Sequence, residues 1–570
     1  MQFKLKRCFG TLVILMMSLG MFAQGSAVRE ELPRGWHLMD KEKDGFYGIS
    51  LDKAYQWLQS KNLKSKPVIV AIIDGGIDTL QEDLKNLLWT NPREIAGNGL
   101  DDDHNGYVDD IHGWNFLGGK DGKSVTDDSG EDARVYYRDK NKFEAPGFNP
   151  ANLSGEEQDR YSMWVRAKKR IIGEGPENNI DVVFLKRVLI SAQNGDSLLQ
   201  KEMGKTEYTG NDLDSFETKS YETKRAKAAL LYLFKADNLM DVTNKSFLSD
   251  FSELVKEEER KEEAKNTAPK DIRKEIVGDN EEDINDRSYG NNDIMAADPM
   301  HGTHVAGIIG AQRNNGKGID GIADNVRIMM IRAVPNGDEH DKDIALGIRY
   351  AVDNGARVVN MSFGKHFSPY KKWVDDAVKY AQSKGVLLVE AAGNDNENTD
   401  SVDVFPNPQF KDSKLKATNW ITVGASSDPL ADARFKSLTA YFSNYGKHTV
   451  DVFAPGAKIY STLPGGNQYG NLSGTSMAAP VVTGVAALIM EYFPTLTAEQ
   501  VKLCIEKSAV APAIKVRKPG SDNEMVSLSE LCKSGGIINA YGAIKLAAQL
   551  SEENKQKEML PKSTLENKKG

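Results

Sequence analysis

A chain of 570 residues has room for two or more ordinary domains, or for one large domain carrying insertions. Its 40% of hydrophobic residues and its 50 glycines suit a folded, loop-rich globular protein and exclude a disordered one. A net charge of −9, from 73 Lys+Arg against 82 Asp+Glu, argues against a nucleic-acid partner, whose phosphates the chain as a whole would repel.

Lys4, Lys6 and Arg7 precede an apolar run from Phe9 to about Ala23. The run is short for a membrane span of roughly 20 residues but suits the core of a signal peptide, with small residues at its end for cleavage. Segment 1–25 is therefore expected to direct export to the periplasm or the outside, and its removal would leave no stable membrane anchor. Cys8 precedes the apolar run, so it is not the lipidated cysteine that follows one. Cys504 and Cys532 then remain, either paired or as two inert buried thiols. Residues 26–66 form a short N-terminal segment.

Pro67-Val-Ile-Val-Ala-Ile-Ile73 is a continuous apolar run rich in β-branched residues, and it ends at Asp74-Gly75-Gly76. It reads as a buried parallel strand with an acid at its carboxyl end, where α/β proteins place function. In Asp101-Asp-Asp-His-Asn-Gly-Tyr-Val-Asp-Asp110, oxygen-bearing side chains alternate around a glycine turn. With Asp101 as position one, Asp103, Asn105 and Asp109 fall where an EF-hand loop places ligands, although His112 replaces the final Glu and no flanking helix is evident. A structural calcium ion is expected there, the alternative being a solvated acidic turn. Residues 117–295 are rich in charge and in helix-favouring residues, as in Val255-Lys-Glu-Glu-Glu-Arg-Lys-Glu-Glu-Ala264, and predict a solvated, mostly helical insertion. Further apolar strands are expected at Val326–Ile331, Val358–Met361, Val386–Val389 and Ile421–Val423, with helices at Asp341–Asn354 and Lys371–Lys384. This alternation predicts an α/β fold, a parallel sheet with helices on both faces, built from 67–116 and 296–550. Residues 551–570 are expected to be a polar tail.

Three places carry chemistry. Ser476 opens the apolar helix that follows Gly474, with Pro480 expected in its first turn and free backbone N–H groups suited to an oxyanion. His301-Gly-Thr-His304 opens another helix, and its two histidines lack the Glu and the third ligand of a zinc-peptidase helix. Asp74 is placed to orient an imidazole and to stabilise its cation.

Four blocks resemble the subtilisin-like serine protease family: Val70-Ala-Ile-Ile-Asp-Gly-Gly-Ile-Asp78, His301-Gly-Thr-His-Val-Ala-Gly307, Val389-Glu-Ala-Ala-Gly-Asn394 and Gly474-Thr-Ser-Met-Ala-Ala-Pro480. They stand in the order Asp, His, Ser, which is that of subtilisin. The resemblance covers about 67–115 and 300–550. It implies a serine endopeptidase with Asp74, His301 and Ser476 as its triad and Asn394 as an oxyanion donor. It also implies substrate binding by Ser362, Phe363 and Gly364 as an added-strand partner, and by Ala391, Ala392 and Gly393 around the primary pocket. Asp83 resembles a calcium ligand of the family.

The chain departs from the family at three points. Gly75 stands where Ser or Thr usually follows the catalytic acid, Lys365 stands where a second glycine is common, and 227 positions separate Asp74 from His301. The segment 26–66 is also short for the inhibitory prodomain of many secreted members. The expected partner is a polypeptide substrate, with no nucleic acid and no cofactor for catalysis, and the oligomeric state stays open. Two other readings stand beside this one: a binding protein on the same scaffold with catalysis lost, and a processing peptidase dedicated to one substrate. The insertion is either a mobile cap over the cleft or a surface excursion.

Overall fold

Strand β1 (Val68–Asp74) is apolar up to its last residue, Asp74, because both of its faces are covered. Val70 and Ile72 enter one hydrophobic layer, and Ala71 and Ile73 enter the other. The computed structural model describes residues 32–559 apart from 174–180, 237–238, 241 and 432–435, so the expected signal segment lies outside the described residues. With β2 (Gly113–Asn115), β3 (Val326–Arg332), β4 (Val358–Met361), β5 (Leu387–Ala391), β6 (Trp420–Ser426) and β7 (Val452–Pro455), β1 forms a parallel sheet of seven strands in the order β2-β3-β1-β4-β5-β6-β7. The chain leaves β1 for the β2–β3 side and then crosses back to β4, so the carboxyl end of β1 is the switch point where such sheets open a crevice. Asp74 stands at that end, level with Arg332 of β3.

Helix α1 (Leu51–Ser60) lies in the N-terminal segment. Trp36 of that segment is buried and donates its indole N–H to the carbonyls of Ala457 and Lys458, so the segment is part of the fold. Between β2 and β3 the chain runs through α2 (Glu131–Phe143), α3 (Glu156–Ile172), α4 (Val182–Met203), α5 (Gly210–Ser215), α6 (Tyr221–Ala236), α7 (Asn244–Asn266) and α8 (Ile272–Ile276), and then α9 (Met300–Gly310). Helices α4 to α7 enclose an apolar cluster of their own around Leu199, Phe234, Phe247 and Phe251. A second cluster joins α2 and α3 to the sheet domain: it holds Phe143 and Trp164 together with Phe367, which follows β4. The insertion is thus a packed body with its own core, and several of its charged residues, Asp128, Glu131, Asp139 and Arg273 among them, are buried.

After β3 come α10 (Asp341–Asp353) and α11 (Lys371–Ser383) on one face of the sheet. On the other face lie α9, α12 (Thr475–Tyr492), α13 (Ala498–Ser508) and α14 (Ala540–Met559). Among the described residues, α12 is the one helix long and apolar enough to cross a membrane, and it is buried in the core. Helix α14 continues beyond residue 550: Ser551 is buried and Asn554 bonds Gln500, so the polar tail begins later than its composition suggests. Cys504 and Cys532 are free thiols, both buried; burial pushes the Cys504 pKa up to about 12, which leaves that thiol unreactive.

Candidate active site

At the end of β1, Asp74 is 2% exposed. The imidazole of His301 meets it squarely, with Nδ1 2.9 Å from each carboxylate oxygen. Two features make this approach possible. Helix α9 starts against β1 because residue 302 is glycine: a Cβ there would lie 2.1 Å from the carbonyl oxygen of Gly76. The hairpin of β8 (Ile459–Leu463) and β9 (Gln468–Leu472) then holds that helix, since the hydroxyls of Ser461 and Thr462 donate to the carbonyls of His304 and Thr303. His304 itself is buried and bonded to the carbonyl of Gly470, which ties the helix to the hairpin, and burial lowers its pKa to about 3.

Gly75 lacks the hydroxyl common after the family's catalytic acid, but its backbone N–H donates to Asp74 Oδ1 at 2.7 Å. Arg332, invisible as a site residue in the sequence, donates to the carbonyl of Gly75 at 2.9 Å and braces the same turn. Burial presses the His301 pKa down, but the Asp74 charge and hydrogen bond outweigh it, and the net shift is upward from 6.5. The His301 side chain remains 42% exposed toward the cleft.

Ser476 is the second residue of α12. Pro480 lies in the second turn of that helix, not the first, so the carbonyl of Ser476 has no N–H four residues on. Ser362 takes that place: its hydroxyl donates to Ser476 O at 3.0 Å, while Ser476 Oγ donates to Ser362 O at 3.1 Å. Behind this pair, Thr483 donates to Asn360 and Asn360 to the Ser362 hydroxyl, a buried relay into the sheet. Among the described residues no hydrogen bond joins Ser476 Oγ to His301 Nε2, as is common before substrate arrives. Both side chains line one cleft of about 880 Å³, together with Gly364, Ala391, Gly393 and Asn394.

Asn394 caps α12. Its side-chain oxygen accepts from Thr475 N at 2.8 Å and from Thr475 Oγ1 at 2.9 Å, which leaves Nδ2 as the free donor. That nitrogen and the Ser476 N both lie near Gly474, where a Cβ would sit 3.6 Å and 3.5 Å from them. Two donors beside a serine hydroxyl are what an oxyanion requires. Of the residues expected to bind substrate, Ser362, Phe363, Gly364, Ala391 and Gly393 line the cleft. Ala392 does not: strand alternation turns it into the cluster holding Leu438 and Phe453.

In the acidic loop, Glu94, Asp101 and Asp103 each offer a carboxylate oxygen within 4.8 Å of the others, and Glu94 lies outside the span the loop pattern covers. Asn105 Oδ1 accepts from the N–H of Tyr107, and both oxygens of Asp109 accept the amides of Gly97 and Gly99. Asp83 is buried and bonded by Asn315 and Tyr469.

The subtilase family model matches residues 65–543, and the chain belongs to that family. It is 44% identical to the thermophilic serine proteinase of Bacillus sp. strain AK1 over 197 residues, 34% of this chain and 44% of that protein. It is 35% identical to thermitase of Thermoactinomyces vulgaris over 246 residues, 43% of this chain and 75% of that protein. With subtilisin DY of Bacillus licheniformis the identity is 37%, over 37% of this chain and 70% of that protein. The matched segment thus spans less than half of the thermophilic proteinase.

Proposed function

We propose that this protein is an exported serine endopeptidase that cleaves polypeptides through an acyl-enzyme. The observation that carries this reading is the contact of His301 with Asp74 in the cleft that also exposes Ser476. In the first half-reaction His301 Nε2 takes the Ser476 proton as Oγ attacks the substrate carbonyl, with Asp74 holding the imidazole and balancing its charge. The carbonyl oxygen, now negative, is received by the Ser476 N–H and Asn394 Nδ2. Collapse expels the amine, which takes its proton from His301, and the acyl group stays on Ser476 until water, activated by the same histidine, releases it. Ser362 to Gly364 present backbone to the substrate as a neighbouring strand, and Ala391 and Gly393 border the pocket for the residue before the scissile bond.

No step requires a cofactor. A structural calcium ion fits the oxygen donors of Glu94, Asp101 and Asp103, whose mutual repulsion it would relieve, fixing the loop beside β2. Export rests on the composition of segment 1–25. The test is hydrolysis of casein by the purified protein and by its Ser476→Ala variant. Cleavage by the first and none by the second is expected; equal cleavage by both removes the nucleophile, and none by either favours a binding protein on this scaffold.

A further inference from the structure

Lys365 stands one residue beyond the segment that faces substrate, at a position where the family commonly has glycine. A lysine is flexible and strongly hydrated, and it is rarely enclosed without partners. Here its side chain is 1% exposed. Its ammonium lies 2.8 Å from Glu131 Oε2 and 3.0 Å from Asp341 Oδ1, and it donates to the carbonyl of Glu339 at 2.6 Å. Glu131 opens α2, the first helix of the insertion, so this ion pair crosses from the insertion to the substrate segment.

The rest of the seam repeats the pattern. Arg134 bonds Glu131 and the carbonyls of Ser129 and Asp338. His340 holds Asp128 through Nε2 at 2.9 Å and Glu281 through Nδ1 at 2.7 Å. Backbone pairs fasten the start of the insertion beside the strand that leaves β3: Asn336 N donates to Thr126 O, and Asp128 N donates to Asn336 O, each at 2.8 Å. Gly337 permits this approach, with φ of +136° and space for no Cβ, which would fall 2.3 Å from Asp128 O. On the far side of Lys365, Phe367 is buried in the apolar cluster formed with α2 and α3.

The segment from 362 to 367 is therefore held at three points. Ser362 locks to Ser476, Lys365 binds Glu131 and Asp341, and Phe367 sits in the insertion's apolar cluster. The cleft shows the consequence: Gly130, Arg170, Lys261 and Thr267 of the insertion line it together with His301 and Ser476.

We propose that Lys365 is a positioning residue which makes the insertion a working wall of the substrate cleft, so that the insertion sets how an extended chain lies along Ser362–Gly364. The proposal rests on the reading of Ser476 as nucleophile. A wall of this kind acts on the peptide before the scissile bond, and its effect grows with the number of residues that must lie along the strand. A substrate with a single acyl residue barely meets it. Merely structural support would weaken all substrates alike.

The test uses the full chain and peptide anilides with one to four residues before the scissile bond. In Lys365→Met, kcat/KM for the four-residue anilide is expected to fall about tenfold or more, and for the one-residue anilide less than about twofold. Lys365→Arg should recover most of the loss, and Glu131→Gln should reproduce it from the insertion side. Because a buried charge left alone can unfold a protein, and Glu131 keeps Arg134 while Asp341 loses its cation, the paired variant Lys365→Met with Asp341→Asn is measured alongside. Hydrogen exchange supplies a readout independent of hydrolysis: amides of 362–367 should exchange about tenfold faster in Lys365→Met, with α12 unchanged. Losses equal at every substrate length, or unchanged rates and unchanged exchange in folded variants, overturn the proposal. A wild-type chain that hydrolyses no substrate counts against the nucleophile, while the exchange result still decides the role of Lys365.

Discussion

His301 and His340 both meet carboxylates, and they differ in what their second nitrogen meets. The Nδ1 of His301 rests on Asp74, while among the described residues its Nε2 has no hydrogen bond and the ring is 42% exposed to the cleft. His340 is 3% exposed, with Asp128 on one nitrogen and Glu281 on the other. Carboxylates accept only, so His340 fills both bonds best as a cation and serves as a fixed charge in the seam with the insertion. A histidine tied on one side keeps a lone pair for moving a proton; tied on both sides it becomes a fastening. Their places on the helices do not separate the two, since each stands immediately before or within the first turn of a helix beside the sheet; the small residues that follow His301 and the charged ones around His340 do.

The largest effect should fall on the first histidine. His301→Ala is expected to lower kcat by about 10⁴-fold or more with the circular dichroism spectrum kept, because residues of a triad act as a unit. Asn394→Ala should cost less, about 10²–10³-fold in kcat with KM little changed, a scale set by the corresponding asparagine of subtilisin, a relative of this chain. His340→Gln reverses the emphasis. It leaves the buried Asp128 with only the Arg134 guanidinium, 3.8 Å away, as a cation and should destabilise the fold by about 3 kcal/mol, read from the urea midpoint, while hydrolysis of a one-residue anilide persists.

A pH series sharpens the contrast. Burial lowers the His340 pKa, but its bonds to Asp128 and Glu281 more than compensate, and the net shift is upward from 6.5. A raised folded-state pKa gives stability that is complete below the unfolded value and is lost as pH rises through the folded one. His301, also shifted up, must be neutral to accept the serine proton, so kcat/KM should climb as pH rises through a value above 6.5. Alkaline conditions should therefore raise activity and lower melting temperature in the same protein, and His340→Gln should remove much of the second trend alone. The smallest effect concerns calcium. Chelation of metal-loaded protein should lower the melting temperature by a few degrees, and less in the Asp101→Ala, Asp103→Ala variant; equal shifts would remove the ion from that loop.

What the sequence made legible follows from burial. Strands β1, β3 and β4 are apolar on both faces and show as continuous runs, whereas β2 is only Gly113–Asn115 and the exposed β9, Gln468–Leu472, carries no apolar signal. The proposed reacting groups stand out in the sequence because Asp74, His301, Asn394 and Ser476 each sit in a block of small residues that close packing demands. The end of α14 reads as a polar tail from residue 551 because its last turns are charged, although Ala543 and Ala547 mark a buried face. The seam was hidden for another reason. Glu131, Asp341 and Lys365 lie far apart in the chain, and each looks like surface charge until the fold encloses them. Only the lysine in place of a glycine hinted at it.

The account stands most directly on the nucleophile. Treat the protein with a fluorophosphonate and map the adduct by mass spectrometry. A single adduct on Ser476, formed by the wild-type chain and strongly slowed in His301→Ala, is the predicted result. Labelling elsewhere, or equal labelling of Ser476 in both proteins, would contradict the assignment of Asp74, His301 and Ser476 to one catalytic unit.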